Sequence, residues 1–321
     1  MKVIVSGASG FLGAWICRLL SQEHEVTALL RSKSDAFRLT GIKNLLVKRC
    51  ESSDWAREIR ESKSDVLIMA DWWGVGNESR NDPRQSENIS RMCELSNAAL
   101  TAAIPVVIGL GSQAELGSIS HQILESASDN PSTEYGIAKV QARKQMESIF
   151  HQSTTRFIWM RIFSTYGPLD TGNWLIPKIV DSLAKNRQME LTKGEQEWSY
   201  LHAYDLASAF LAVIKNEQTN GIVNVGNPQT IKLKSAIGLI AAKLGGLDLL
   251  NFGAIPYRSD QVMRLEPKCE TLTEIGWSPQ VTFEEGSSQT VDWLLGKESN
   301  QLRLLSGEEI IFDLPLRQGI S

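Results

Sequence analysis

Short apolar runs recur along the first half of the chain, near residues 26–30, 44–48, 65–70, 104–110 and 156–162, and the stretches between them carry helical spacing. Continuous runs of this length read as strands buried on both faces, and their alternation with helices predicts a parallel sheet covered on each side. A first strand is expected over Lys2 to Ser6, followed by a helix whose apolar positions are Ala14, Ile16, Leu19 and Leu20. The expected fold class is therefore α/β, a doubly wound parallel sheet with a smaller second α/β lobe. The first unit takes in 1–167; the chain leaves the sheet after Gly167-Pro168, returns around 200–228, and 168–321 mainly builds the second lobe. A later helix is expected to start at Asn130-Pro131, with Asn as the cap and proline in the first turn. Beyond Trp293, the apolar groups at 302–305 and 310–314 fit a cover for the sheet, a contact with a second subunit, or loosely ordered chain.

Composition narrows the classes without choosing among them. The 321 residues can bury two cores, and 42% hydrophobic with 22% charged residues is ordinary for a soluble globular chain. A formal charge of −4 leaves no basic footprint, which argues against nucleic acid as a partner. No apolar run approaches the roughly 20 residues of a membrane helix. The first strand starting at Lys2 leaves no room for a leader, so the cytoplasm is the expected location. Cys17, Cys50, Cys93 and Cys269 lie far apart with no Cys-x-x-Cys, so neither a metal cage nor a disulfide framework is expected.

Chemistry enters at the first turn. Gly7-Ala8-Ser9-Gly10-Phe11-Leu12-Gly13 follows the first strand and opens the first helix. Glycines there permit a tight turn and let a pyrophosphate approach backbone N–H groups at the helix N-terminus, where the dipole favours anions. Gly7, Ser9, Gly10, Phe11, Leu12 and Gly13 are the expected contacts of a dinucleotide, with Ala70 at the end of the fourth strand, and the fold becomes Rossmann-like. The competing reading is a tight strand-to-helix turn with no ligand. At the end of the second strand, an acid would accept from an unphosphorylated ribose, whereas an arginine accommodates a 2′-phosphate. Arg31 stands there, with Lys33 and Arg38 nearby, so NADP(H) is favoured over NAD(H); the alternative is an ordinary solvated arginine.

A second constellation is Glu134-Tyr135-Gly136-Ile137-Ala138-Lys139, in which one helical turn sets the Tyr135 phenol beside the Lys139 ammonium. A free tyrosine, with a pKa of about 10, is a poor acid or base at neutral pH, and a neighbouring cation favours its phenolate. Taken alone, such a pair also arises by chance on a solvated helix.

Together these motifs resemble the extended short-chain dehydrogenase/reductase family, in its branch that modifies nucleotide-linked sugars. Gly7 to Gly13 is similar to its glycine turn, Tyr135 to Lys139 to its Tyr-x-x-x-Lys, and Gly111-Ser112-Gln113-Ala114-Glu115-Leu116-Gly117 to the segment of its third catalytic residue. Arg161 to Pro168, Tyr200 to Ala207 and Gly276 to Gly286 resemble further landmarks, so the likeness spans nearly the whole chain. It implies Tyr135 as general acid, Lys139 tuning it and holding the nicotinamide ribose, and Ser112 polarising the carbonyl. It also implies a nucleotide-sugar substrate and a homodimer.

Within that branch, dehydratases carry Asp-Glu after the catalytic residue, where this chain has Gln113 and Ala114. Members that epimerise beside a ketone carry a Cys at the position of Ala114. Glu115 is offset from either pattern and reads as a hydrogen-bonded or exposed glutamate. Simple reduction of a 4-keto sugar, or 4-epimerisation with retained NAD, needs only the three residues present. Arg31 favours the reductase. Gly111 to Glu115, Asp71-Trp72-Trp73-Gly74-Val75 and Gln196 to Tyr200 are most similar to bacterial synthases that reduce CDP-4-keto-deoxy sugars, of the abequose or paratose type. Asp71 departs from a small apolar residue close to the nicotinamide, and Leu116 replaces a tyrosine near the substrate. For the substrate, the resemblance implies Asn173 at the nucleotide, Arg258 on the diphosphate, and Trp198 where another arginine is usual. A turn residue, a surface charge and a core tryptophan are the respective alternatives. His202 reads as structural. Two other function classes remain open: a catalytically silent dinucleotide-binding regulator, and an NADPH-dependent reductase of phenolic ketones.

Overall fold

The computed structural model describes residues 1–119, 121–258 and 261–317. Strands β1 (Lys2–Ser6), β2 (Glu25–Arg31), β3 (Leu45–Cys50), β4 (Val66–Met69), β5 (Val106–Ser112) and β6 (Arg156–Ile162) pair with a strand at Gly221–Val225. The seven form one sheet in the order β3, β2, β1, β4, β5, β6, Gly221–Val225, and every pairing is parallel. The fold is thus α/β and Rossmann-like. Strand order reverses between β1 and β4, which opens a crevice at their C-terminal ends.

Helices fill both faces. Helix α1 (Phe11–Leu20) packs with Ala203–Lys215 on one side, sharing a core that includes Val3, Val5, Ile16 and Phe210. Helices α2 (Trp55–Glu61), α3 (Gln85–Thr101) and α4 (Glu134–Phe150) cover the other, over Ile4, Leu67, Met92 and Trp159. At the edge the expectation of two covered faces fails. In β3 the four central residues are exposed, Leu46 at 63% and Val47 at 39%; an edge strand pairs on one side only, and only its end residues Leu45 and Cys50 are partly buried against the cores.

Helix α4 also begins later than expected. Thr133 caps it, accepting from the Gly136 N–H at 3.1 Å. Asn130 is spent elsewhere: its N–H donates to the Glu115 carbonyl at 3.0 Å, and its carbonyl packs against Gly117. That tie fastens the start of the helix to the turn after β5.

Past Tyr166, Gly221–Val225 apart, the strands shrink to two or three residues. Thr165–Tyr166 pairs with Leu201–His202, Met189–Leu191 with Leu250–Phe252, and Glu197–Trp198 lies between Ile231–Lys232 and Arg264–Leu265. The tail covers α1. After a hairpin of Gln301–Arg303 and Glu309–Ile311, Phe312 meets the Trp15 ring edge-on at 5.2 Å, and the Arg18 guanidinium donates to the Asp313 carbonyl at 2.7 Å.

Candidate active site

The glycine turn sits at the crevice and is shaped by close backbone approach. Gly7 has φ +69°, and a Cβ there would fall 2.4 Å from Ala70 C and Asp71 N. A Cβ on Gly13 would lie 2.4 Å from the Gly7 carbonyl, so α1 can rest on the turn only without a side chain. Gly10 caps α1 without a side-chain hydrogen bond, and no acid stands in the first turn. The first N–H groups of a helix have no intrahelical acceptor, so Phe11, Leu12 and Gly13 present donors and the positive dipole end at the mouth of the crevice. These features fit a dinucleotide pyrophosphate: the cradle needs glycine, and its donors are not satisfied by a cap.

At the far end of β5 the chain places Ser112, Tyr135 and Lys139 together. Ser112 ends β5 and caps a short 3-10 turn (Gln113–Leu116); its Oγ accepts from the Ala114 N–H at 3.2 Å. The same side chain faces the Tyr135 phenol and favours its ionised form. Lys139 is buried one turn along α4, donates from Nζ to the Leu110 carbonyl at 2.7 Å, and lies 5.7 Å from the Tyr135 ring centroid. An ammonium has three donors, so the Leu110 bond leaves capacity for a ribose.

Electrostatics correct one expectation. The phenol of Tyr135 is pushed up, not down: burial dominates, and the opposing pull comes from the Ser112 hydrogen bond and the Arg80 charge rather than from Lys139. Burial in turn lowers Lys139 to about 7, with Glu115 and Asp71 drawing it back up. Burial disfavours the charged form of both groups. The result is a protonated phenol, the form that donates.

Two residues not foreseen complete this corner. The Trp72 indole lies under the Lys139 ammonium at 3.6 Å and meets Tyr135 edge-on at 6.0 Å, a cation–π contact that holds a buried charge. Trp72 is fixed by Gln85 on α3, whose Oε1 accepts from the indole N–H at 2.8 Å. Arg80 stands 5.6 Å from the Tyr135 ring centroid, and its carbonyl accepts the Tyr135 N–H at 2.8 Å. Asp71-Trp72-Trp73 stood out in the sequence, but only the fold shows that Trp72 faces the lysine.

Glu115 is removed as a spare acid. It is fully buried; Oε1 accepts from the Ser112 N–H at 2.7 Å and from Trp159 Nε1 at 2.9 Å, and Oε2 faces Arg161 Nε at 3.5 Å and Arg143 Nε at 3.8 Å. It positions Ser112 from behind. His202 is likewise structural in its contacts: buried, lowered to about 3 by burial, with Nδ1 accepting from the Tyr204 N–H at 3.2 Å.

The remaining candidates lie apart from this cluster. Arg31 is exposed at the end of β2, whereas Arg38 reaches the glycine turn, donating to Ser9 O at 3.3 Å, Leu169 O at 2.8 Å and Thr171 Oγ1 at 2.5 Å. Asn173 is exposed just before the helix Leu175–Ala184. Trp198 donates to Ser164 Oγ at 2.6 Å and packs on Leu116, Ile123, Phe163 and Leu265, as a core tryptophan would. Arg258 is exposed; Ser259 and Asp260, which follow it in the same segment, lie outside the described residues.

The sequence profile of the NAD dependent epimerase/dehydratase family matches residues 3–226. A dTDP-4-dehydro-6-deoxyglucose reductase of Escherichia coli is 22% identical over 304 residues, 90% of this chain and 96% of that protein. A CDP-abequose synthase of Salmonella muenchen is 28% identical over 132 residues, 40% of this chain. The chain spans about half the length of several curated relatives, 45% of that synthase and 52% of a human dTDP-D-glucose 4,6-dehydratase. Among solved structures, a UDP-glucose 4-epimerase of Thermus thermophilus in complex with NAD superposes with a TM-score of 0.80 at 20% identity, covering 92% of this chain and 99% of that one. At that identity the likeness speaks for the fold.

Proposed function

The chain belongs to the NAD dependent epimerase/dehydratase family, and from that premise we propose that it reduces the 4-keto group of a nucleotide-linked deoxy sugar, of the CDP-4-keto-deoxyhexose type, with NADPH. The observation that carries the reading is Ser112 at the end of β5 facing Tyr135 and buried Lys139, at the end of a crevice whose other end is an uncapped glycine turn. Reduced nicotinamide supplies the hydride when bound. Ser112 donates to the carbonyl oxygen and polarises it, and Tyr135, kept protonated by burial, delivers the proton that oxygen needs. Lys139 holds the ribose with its free donors, and its ammonium form stabilises the phenolate left on Tyr135 as the proton leaves.

Dehydration is disfavoured by the same geometry. Gln113 and Ala114 cannot shuttle a proton, and Glu115 is committed to Ser112, Trp159 and two arginines. The choice of a reductase over a 4-epimerase that retains NAD rests on Arg31 at the end of β2, with no acid there to hold an unphosphorylated ribose. The names of the Escherichia coli and Salmonella muenchen relatives support a reductase acting on a deoxy sugar nucleotide. In this proposal Asn173 and Arg258 meet the nucleotide and its diphosphate, residues 168–321 mainly form the substrate lobe, and the active form is a cytoplasmic homodimer. Purified protein mixed with NADPH and CDP-, dTDP- or GDP-linked 4-keto-6-deoxy sugars should deplete the reduced-cofactor absorbance with at least one of them. NADPH binding without turnover across the panel would point to the silent regulator instead.

A further inference from the structure

Asp71 puts a carboxylate where the proposed function needs to seat an anion. Its backbone N lies against the glycine turn, at the 2.4 Å that excludes a Cβ from Gly7. Its side chain is mostly shielded, 13% exposed, and turns away from the turn's N–H groups: Oδ1 accepts from Ser6 Oγ, and Oδ2 from Arg91 Nε at 3.3 Å. Arg91, on α3, is itself held in place. Its Nη2 donates to the Ser52 carbonyl at 2.9 Å, and its guanidinium stacks over the Trp55 ring at 4.7 Å. The pair therefore bridges the end of β1, the segment after β4, α3 and the segment after β3, all around one edge of the crevice.

A dinucleotide pyrophosphate brings two negative charges to the turn, and an uncompensated carboxylate on the residue beside that turn would repel them through a poorly screened path. We propose that Arg91 is a positioning residue for the dinucleotide: by pairing with Asp71 it neutralises the carboxylate and keeps it directed at Ser6, so that an anionic cofactor can bind beside it. The inference rests on the dinucleotide reading above, and it makes Arg91 matter only because Asp71 is present.

That dependence is the test. The full-length protein is titrated with NADPH by calorimetry, as wild type, Arg91→Gln, Asp71→Asn and the double variant, with thermal unfolding recorded for each. Arg91→Gln should weaken binding at least tenfold, Asp71→Asn should bind as tightly as wild type or more tightly, and the double variant should return to within about threefold of wild type. The deficit of Arg91→Gln should shrink as salt rises from low to high, since repulsion between charges is screened and a packing defect is not. Arg91→Lys, which keeps the charge, should retain most of the affinity even if Arg91→Gln folds poorly. A double variant as weak as Arg91→Gln would overturn the inference, because Arg91 would then touch the cofactor or support the fold directly. So would an Arg91→Gln protein that binds as wild type. Wild-type protein that binds no dinucleotide would instead sink the functional reading, and this inference with it.

Discussion

Around the C-terminal ends of β1, β4 and β5, side chains are placed by long parallel strands, whose register fixes them within a continuous ladder: Ser6 pairs with Met69, and Ser112 with Ile162. Around Trp198 and Arg258, strands of two residues carry the chain, and side-chain hydrogen bonds take over the positioning: Trp198 to Ser164, Asn227 to Tyr200, Glu125 to Thr271. The first region is set by backbone pairing. The second is set residue by residue, so it can change what it accepts without disturbing the sheet. The proposed function puts reaction chemistry in the first and substrate choice in the second, and this separation can be attacked from either side.

The largest expected effect lies in the first region. Tyr135→Phe removes the proton donor while leaving the ring to pack on Trp72 and Arg80. Turnover should fall by about 10² to 10⁴, the usual share of a general acid, with NADPH affinity unchanged in calorimetry. Near-wild-type turnover would mean that the proton comes from another group. The separation itself would then lose its basis.

The same contrast explains what could be read from the chain alone. β1, the glycine turn and β6 were legible because each is a local pattern: a continuous apolar run, a turn that demands glycine, a helix that follows. Tyr135 and Lys139 were legible because i and i+4 share a helix face. Trp72 under Lys139, and Arg91 beside Asp71, were not, because each contact joins residues 67 or 20 positions apart through the sheet. The start of α4 was misplaced for a related reason: Asn130 has the chemistry of a cap, but the turn after β5 claims its backbone, and Thr133 takes the role. The direction of the Tyr135 shift depends on burial, which spacing does not reveal. The short strands past Tyr166 have too few residues to show any period.

A middle-sized effect should come from the seam between the regions. Residues 121–130 lead towards α4, and Glu125 ties them both to the sheet strand Gly221–Val225 and to Thr271: its carboxylate accepts from the Asn224 N–H at 3.0 Å, the Thr271 N–H at 3.2 Å and the Thr271 hydroxyl at 2.6 Å. Glu125→Ala leaves those donors without an acceptor, a cost of about 1 to 3 kcal/mol. Substrate KM should rise more than NADPH affinity falls, and Glu125→Gln, which keeps an acceptor oxygen, should lie between the two. Equal losses for substrate and cofactor would show that the seam serves both regions alike.

The smallest effect is expected at Arg31, and it separates two roles for arginine near the glycine turn. Arg38 donates to the backbone of Ser9 and Leu169 and to Thr171, so it is spent on joining the turn to residues 168–171. Arg31 is exposed at the end of β2, where a 2′-phosphate would lie on the ribose. One charged hydrogen bond at a solvated position contributes about 1.4 kcal/mol, equivalent to tenfold in affinity. Arg31→Ala should therefore weaken NADPH about tenfold and leave NADH within error, because only the former carries the phosphate. Arg38→Ala should weaken both alike, since it loosens the turn that any dinucleotide uses. If Arg31→Ala costs the two cofactors equally, the preference for the phosphorylated form fails, and a 4-epimerase with retained NAD becomes the better account of the same three residues at Ser112, Tyr135 and Lys139.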